Sequence, residues 1–188
     1  MRFEAATVAA SLFVRARWTS WRSFMADNAT RREVAVGLIV AGDGRLLLQH
    51  RDAKPEITGA GLWGFFGGHL EPDEQPVAAF LRELDEEIGW RPRHFEHYLT
   101  AEVPPLPGDK GYGRHIVSHV FAAHLDVPVE QLTLREGQGM ALFAPDALPA
   151  DIVPGLVGVI EGFARSDAYK RVKHEWDVIS TTGLLIDA

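Results

Sequence analysis

The arrangement of strand and helix patterns in this 188-residue chain predicts an α+β or mixed α/β fold. Residues 34–51 have the pattern of two strands joined by a turn, and residues 76–88 have the pattern of an amphipathic helix. Further strands follow at residues 95–103 and 114–125 without a regular strand–helix alternation, which argues against a doubly wound parallel sheet. We therefore expect one mixed sheet with helices packed against it.

The strands of the amino-terminal half follow from their local residue patterns. Apolar, β-branched residues 34–40 predict a buried strand, residues 41–44 (AGDG) a turn, and residues 45–51 the returning strand of a hairpin. Residues 62–70 carry large aromatic side chains beside glycines, directly before an acidic segment. Pro76 lies early in the next helix, where its missing N–H costs little, and Gly89 ends that helix.

The carboxyl-terminal half contains strands, a loop and one helix. A loop rich in proline and glycine, residues 104–113, joins the predicted strands at residues 95–103 and 114–125. Residues 139–144 predict a short strand, and residues 154–172 predict a single final helix. We expect the domain to span residues 33–170, followed by a carboxyl-terminal extension over residues 171–188.

The composition limits the functional classes. The chain is 46% hydrophobic and 24% charged, as in one globular domain with a real core. A net charge of −7 offers no general basic surface for nucleic acid, and no segment approaches the roughly 20 apolar residues of a membrane span. The absence of cysteine removes disulfides, thiolate zinc sites and a cysteine nucleophile. We expect a cytoplasmic protein with a small-molecule substrate and no nucleic-acid or membrane partner.

Residues 1–32 differ from the rest of the chain. They hold six arginines against two acidic residues, together with Trp18 and Trp21. This composition is shared by targeting and membrane-surface segments, but no small-residue cleavage site follows an apolar run of secretory length. We expect a helical arm that packs on the domain or on the partner subunit of a homodimer. A natural start at Met25 is the alternative.

Three acidic side chains crowd one side of the helix at residues 76–88. At about 100° per residue, Glu83, Glu86 and Glu87 span an arc of roughly 100°. Like charges at such spacings destabilise a helix by roughly 0.2–0.5 kcal/mol per pair. A hard divalent cation, Mg²⁺ or Mn²⁺, prefers clustered oxygen ligands and would cancel the repulsion, whereas the alternative is a solvated acidic face. The predicted docking stripe beside this arc consists of Val77, Leu81, Leu84 and Ile88.

The surrounding residues form an extended motif with the pattern G-x5-E-x7-R-E-U-x-E-E-x-G-U, where U is bulky and apolar. Every fixed position is filled between Gly68 and Trp90, with Trp90 standing where an aliphatic residue is more usual. This segment resembles the Nudix box, the signature of the Nudix hydrolases. The filled positions are Gly68, Glu74, Arg82, Glu83, Leu84, Glu86, Glu87, Gly89 and Trp90.

The resemblance implies a Nudix-type α/β/α sandwich with a mixed sheet, in which the box forms a loop–helix–loop. It also implies that the metal ligands are Glu83, Glu86 and Glu87, helped by the backbone carbonyl of Gly68. Arg82 would orient Glu83 through a charge-assisted hydrogen bond.

The resemblance further implies metal-dependent hydrolysis of a nucleoside diphosphate linked to another group, such as a nucleoside triphosphate or an ADP-ribose-like compound. Divalent metals neutralise the phosphate charge, and a carboxylate takes the proton of the attacking water, so we expect attack at phosphorus. The candidate bases are Glu83, Glu86 and Glu136. The alternative function is a non-catalytic Nudix domain that acts as a nucleotide sensor or interaction module.

Other residues are candidates with two interpretations each. Glu136 is either a further metal ligand or base, or a solvated loop acid, and Glu102 is a weaker choice for the same role. For the substrate, Arg51 and His69 would contact phosphate and Phe65 would stack on a base. The alternatives are a surface arginine, a loop-capping histidine and a core phenylalanine. His115 and His119 on the predicted strand have the pattern of core histidines.

Overall fold

In the computed structural model, which describes residues 31–54, 59–103 and 115–182, a mixed sheet carries helices on both faces. The strands of the described residues are β1 (Arg31–Val40), β2 (Leu46–His50), β3 (Trp63–Gly64), β4 (Phe66–His69), β5 (Phe95–Val103), β6 (His115–His124) and β7 (Gly139–Phe143). The helices are α1 (Pro76–Ile88), α2 (Leu156–Ala164) and α3 (Asp167–Thr182), with a 3₁₀ turn at Val129–Gln131.

The central strand β1 divides one of its edges between two partners. The order of the main sheet is β3-β2-β1-β6-β5, with β4 paired to β1 and β7 paired to β2. The end of β1 pairs with β2, with Ile39 opposite Leu47, whereas its beginning pairs antiparallel with β4, with Ala35 opposite Gly68. This division places Gly67 and Gly68, which we call the glycine pair, in β4 directly beside β1.

Alternate residues of the strands face opposite sides of the sheet, and each side has its own core. One core packs against α1 and includes Ile39, Leu47, Phe66, Phe80, Leu84, Ile88 and Phe121. The other packs against α2 and α3 and includes Leu38, Val40, Leu48, Phe65, Ile160, Phe163 and Val172. The predicted sandwich of a mixed sheet between helices is therefore confirmed.

Helix α1 has the predicted bounds, and its predicted buried stripe holds at Leu84 and Ile88 but not at its first position. Gly89 ends the helix in a left-handed conformation (φ 65°), and its N–H donates to the Asp85 carbonyl at 3.0 Å. The stripe prediction is wrong at Val77, which is 45% exposed, while Phe80 is fully buried. Gly37 offers no side chain beneath the helix, so the Phe80 ring lies against it and stacks on Phe121 at 4.8 Å between centroids.

The predicted single helix over residues 154–172 is wrong, because the chain forms α2 and α3 with a break between them. Ser166 lies at the break and caps both ends. Its hydroxyl donates to the Phe163 carbonyl at 2.7 Å and accepts the N–H of Tyr169 at 3.2 Å. Helix α3 continues past residue 170, where the sequence predicts the end of the domain.

Parts of the sequence predictions lie outside the described residues. These are the helical arm, apart from the last two residues of its predicted span, and the loop at residues 104–113. Among residues 31–54, 59–103 and 115–182, no helix has both the length and the apolar character needed to cross a membrane.

Candidate active site

The glycine pair of the motif allows α1 to approach the sheet closely. Gly67 has φ 123°, and a Cβ atom there would overlap the carbonyl oxygen of Ala35 on the neighbouring strand. A Cβ atom on Gly68 would lie only 2.5 Å from Oε1 of Glu83. The Glu83 carboxylate therefore rests directly against the backbone of Gly68.

The guanidinium of Arg82 joins three carboxylates of the motif. Its Nε and Nη2 atoms donate to the two oxygens of Glu74, both at 2.9 Å. Its Nη1 atom donates to Glu83 Oε1 and Glu86 Oε2, again at 2.9 Å, and Nη2 also reaches the His69 carbonyl at 3.0 Å. The hydrogen bonds from Arg82 lower the pKa of Glu74 to about 2. We call this group, Glu74, Arg82, Glu83 and Glu86, the arginine cluster.

Glu87 lies in a different environment, the Glu87 pocket. Glu87 is only 5% exposed, so the interpretation of a solvated acidic face is wrong for this acid. Oε2 accepts the N–H of Gly67 at 2.7 Å, and Oε1 accepts Nε2 of Gln49 at 3.0 Å. Both donors are neutral. Burial raises the pKa of Glu87 to about 7, and the charges of Glu83 and Glu136 act in the same direction.

Residues 133–138, which we call the strap, fasten the end of α1 to the end of β2. On the helix side, backbone and side-chain donors of the strap satisfy carbonyls of the last helical turn. These bonds are Thr133 N to Ile88 O (3.1 Å), Arg135 N to Glu87 O (2.8 Å) and Arg135 Nη1 to Asp85 O (2.7 Å). On the strand side the bonds are Gln138 N to His50 O (2.7 Å), Gln138 Nε2 to Arg51 O (2.7 Å) and Gln49 Nε2 to Glu136 O (3.3 Å).

The strap brings Glu136 close to the acids of the motif. Glu136 is exposed, and its charge contributes to the raised pKa values of both Glu83 and Glu87. For Glu83 burial is the largest cause of the raised pKa. Glu102, the weaker candidate, is an exposed residue of β5, two strands away from β1 in the sheet order.

The candidate substrate residues fall into two groups. His69 has a pKa below its usual value because of partial desolvation and the nearby charges of Arg32 and Arg51. Phe65 is only 5% exposed and belongs to the core under α2 and α3. This burial favours the interpretation of Phe65 as a core residue over base stacking.

His119 is also placed differently from its predicted core position. Its Nε2 atom lies 2.7 Å from Glu33 Oε2, and its Nδ1 atom lies 3.1 Å from the hydroxyl of Thr100. This polar chain spans three neighbouring strands. The side chain of His115 lies outside the described residues.

The donor set around the glycine pair has the chemistry of a site for a hard divalent cation. Carboxylate and carbonyl oxygens are the ligands that Mg²⁺ and Mn²⁺ prefer. Burial first, and neighbouring negative charges second, raise the pKa values of Glu83 and Glu87, and a cation would favour their ionised forms. Within the described parts of the chain, no three acidic or imidazole side chains already converge as a ready-made metal site. Glu86 is 55% exposed at its side chain and is held by Arg82.

Sequence reasoning missed Gln49 and the strap. A signal for Gln49 exists, because a polar residue two positions after buried Leu47 faces the same side of a strand. Its partners Glu87 and Glu136 are 38 and 87 positions away, so their identity requires the fold.

A model of the NUDIX domain family matches residues 30–179 of this chain. The CTP pyrophosphohydrolase of Escherichia coli (strain K12) is 32% identical over 129 residues, which cover 68% of this chain and 88% of that protein. The 8-oxo-dGTP diphosphatase of the same strain is 34% identical over 70 residues, 37% of this chain and about half (53%) of the relative's length.

A solved structure agrees with these matches. The crystal structure of a MutT NUDIX hydrolase from Burkholderia pseudomallei superposes with a TM-score of 0.58 at 27% sequence identity, covering 70% of this chain and 96% of the other. The family match covers well over half of the chain. The chain therefore belongs to the Nudix hydrolase family, and the predicted enzyme class, a Nudix-type pyrophosphohydrolase acting on phosphoanhydride bonds, is confirmed.

Proposed function

We propose that this protein hydrolyses nucleoside triphosphates with the help of Mg²⁺ or Mn²⁺. The observation that carries the proposal is that two box carboxylates meet the glycine pair, Glu83 against the backbone of Gly68 and Glu87 on the N–H of Gly67. The similarity to a CTP pyrophosphohydrolase and an 8-oxo-dGTP diphosphatase supports a triphosphate as the first substrate class to test. ADP-ribose-like compounds are the second class.

The residues proposed to hold the cation are Glu83, Glu86, Glu87 and the carbonyl of Gly68. Bound there, a divalent ion neutralises phosphate charge and makes water a stronger acid. The arginine cluster fixes the direction of Glu83 and Glu86, since one planar guanidinium holds an oxygen of each at 2.9 Å. The Gly67 N–H and Gln49 do the same for Glu87.

Glu136 is the proposed acceptor of the proton from the attacking water. Arg82 holds Glu83 and Glu86, and Gly67 and Gln49 hold Glu87, whereas Glu136 is an exposed residue of the strap. The water oxygen bonds to phosphorus as the anhydride P–O bond breaks, and pyrophosphate leaves. The products are a nucleoside monophosphate, pyrophosphate and one proton, which passes through Glu136 to solvent.

Arg51 and His69 are the proposed contacts of the phosphate chain. Desolvation and the charges of Arg32 and Arg51 lower the pKa of His69, which supports a shared role for Arg51 and His69. A neutral imidazole at pH 7 donates one hydrogen bond to a phosphate oxygen, and a guanidinium can donate two.

The test is a turnover screen in which CTP, 8-oxo-dGTP and ADP-ribose are each supplied with Mg²⁺ or Mn²⁺. Reaction in ¹⁸O water followed by mass analysis of both products locates the broken bond. We expect label on a phosphate oxygen of one product only. Label in a released sugar hydroxyl beside unlabelled nucleoside diphosphate would overturn attack at phosphorus. Tight binding of these nucleotides without any turnover would favour a nucleotide sensor instead.

A further inference from the structure

We propose that Gln49 is a positioning residue that fixes Glu87 and the strap of Glu136 in one arrangement. This inference rests on the proposed function. Gln49 belongs to a fully paired part of β2, and it is only 4% exposed. Its amide nitrogen Nε2 lies 3.0 Å from Glu87 Oε1 and 3.3 Å from the Glu136 carbonyl. One amide group thus joins a box carboxylate to the segment that carries the proposed base.

The chemistry of the partners determines the orientation of this amide. A carboxylate and a backbone carbonyl are acceptors only, whereas the side-chain NH₂ of glutamine has two protons to donate. With the amide turned over, its oxygen would face two acceptors inside a buried site, an arrangement that costs both hydrogen bonds. Gln49 therefore acts as a double donor.

The two donors to Glu87 leave room for a cation. An ionised carboxylate offers about four lone-pair sites. The Gly67 N–H takes one on Oε2 and Gln49 takes one on Oε1, so each oxygen keeps a second site. The two hydrogen bonds fix the plane of the carboxylate, which decides where those remaining sites point.

Gln49 acts on the strap at a point that its other bonds do not reach. The strap is held to α1 by Thr133 and Arg135 and to β2 by Gln138. The bond from Gln49 is made to the backbone carbonyl of Glu136 itself, and a Cβ atom added to the neighbouring Gly137 would lie 3.1 Å from the Gln49 side chain. Loss of the Gln49 amide should leave the strap attached but release Glu136.

The central variant is Gln49→Met, which keeps the length and volume of the side chain but removes both donors. Partners that orient metal ligands typically change metal affinity or activity about 10- to 100-fold when lost. We expect a 10- to 100-fold fall in kcat for the best nucleotide and a less than threefold change in KM. The dissociation constant for Mn²⁺ should rise 10- to 100-fold. Mn²⁺ binding is measured by calorimetry without nucleotide.

Two matched variants make the same chemical change elsewhere. Gln131→Met alters an exposed residue of the 3₁₀ turn, which lies outside the strap, and we expect wild-type kcat and Mn²⁺ affinity. Gln138→Met removes a different side-chain bond of the strap, to the Arg51 carbonyl, and leaves Glu87 untouched. We expect Gln138→Met to retain Mn²⁺ affinity within threefold, which separates anchoring of the strap from orientation of Glu87.

Gln49→Met with a lowered Tm but unchanged kcat and Mn²⁺ affinity would overturn the proposal and leave Gln49 a purely structural residue. Equal losses of Mn²⁺ affinity in Gln49→Met and Gln138→Met would also overturn it. Failure of the proposed function is distinguishable, because the wild-type protein would then turn over none of the nucleotides. The comparison of Mn²⁺ affinities would still decide the role of Gln49 in that case.

Discussion

Glu86 and Glu87 are adjacent in the sequence, yet the structure compensates their charges in different ways. Glu86 shares the guanidinium of Arg82 with two other acids and remains largely exposed. Glu87 is buried, and its two hydrogen-bond donors, the Gly67 N–H and the Gln49 amide, are neutral. The arginine cluster thus includes a positively charged side chain, Arg82, whereas the hydrogen-bond donors in the Glu87 pocket are uncharged.

The difference shows how one helix can hold acids for two purposes. The arginine cluster places one positive charge among three negative ones, which orders the side chains and lowers the pKa of Glu74. The Glu87 pocket raises the pKa of its acid by burial, so the ionised form lacks full compensation in the metal-free protein. A cation bound near Glu87 would supply the missing positive charge. The arginine cluster and the Glu87 pocket should therefore respond differently to mutation, pH and metal.

The largest expected effect is on turnover. We predict that Glu87→Gln lowers kcat about 10³-fold and Glu86→Gln about 10²-fold, within the range for residues that act on proton transfer or the metal. Mn²⁺ affinity should fall more in Glu87→Gln, because the uncompensated charge is the one removed. Calorimetric titration and initial-rate kinetics measure both effects. Glu161→Gln, an exposed change on α2, is the control, and near wild-type activity of both test variants under Mg²⁺ would reject the metal assignment.

The two regions should give opposite slopes in the pH dependence of metal-free stability. Glu87 has a pKa of about 7 in the folded protein against an ordinary value of 4.5, so the folded state binds more protons between these pH values. Its contribution to the free energy of unfolding should fall by about 3 kcal/mol as the pH rises from 4.5 to 7. Glu74, with a pKa of about 2, should instead lose its stabilising contribution as the pH falls from 4.5 towards 2.

Denaturant titrations at several pH values, with chelator present, measure these slopes. The difference between the wild-type protein and Glu87→Gln isolates the contribution of this acid. A difference that does not change between pH 4.5 and 7 would contradict the pKa assigned to Glu87. Addition of Mg²⁺ should stabilise the protein more at pH 8 than at pH 5, because protons and the cation compete for the same carboxylate.

A smaller effect is expected from removal of the cation inside the arginine cluster. Arg82→Met leaves Glu74, Glu83 and Glu86 without their shared donor. Together, these charged hydrogen bonds contribute about 2 kcal/mol to the free energy of unfolding. We expect a comparable fall in the free energy of unfolding, measured in urea. Arg171→Met breaks an exposed ion pair with Glu96 and should have little effect. Equal destabilisation by both variants would show that the cluster is no more than a surface ion pair.

The smallest effect concerns the position of Glu83. Gly68 lies outside the left-handed region, so alanine is tolerated by the backbone, but its Cβ would displace the Glu83 carboxylate. We expect Gly68→Ala to keep its stability and to lose about tenfold in kcat, or roughly 1.4 kcal/mol. Gly139→Ala is the matched control, since its Cβ would make an ordinary 3.8 Å contact with His50. Unchanged kcat in Gly68→Ala would show that the contact with Glu83 is not needed.

The sequence predicts local features of this molecule well because spacing and residue type determine them. The bounds of α1 follow from Pro76 and Gly89, and its acids lie on one side because of the helical repeat. Burial follows from packing with distant residues, and here the prediction is weaker. Val77 and Phe80 have similar apolar character, but only Phe80 faces the gap above Gly37.

For the candidate site too, the sequence predicts the residue set better than the burial of each residue. The motif specifies which acids belong together, but not that Glu87 would be buried and Glu86 exposed. The break between α2 and α3 depends on Ser166, whose capping role is visible only when both helix ends are known. Phe65 and Phe66 are adjacent and lie in opposite cores. The sheet register decides which of the two rings faces α1.

The divided edge of β1 also has a consequence for the order in which the protein folds. The hairpin of β1 and β2 joins residues only a few positions apart, whereas β4 must reach β1 across about 30 positions. Loop closure over the longer separation costs more entropy, so the hairpin can form in microseconds and the second pairing later. Gly67 and Gly68 belong to that later pairing, so the proposed cation site would be complete only when the slower, long-range part of the sheet has formed.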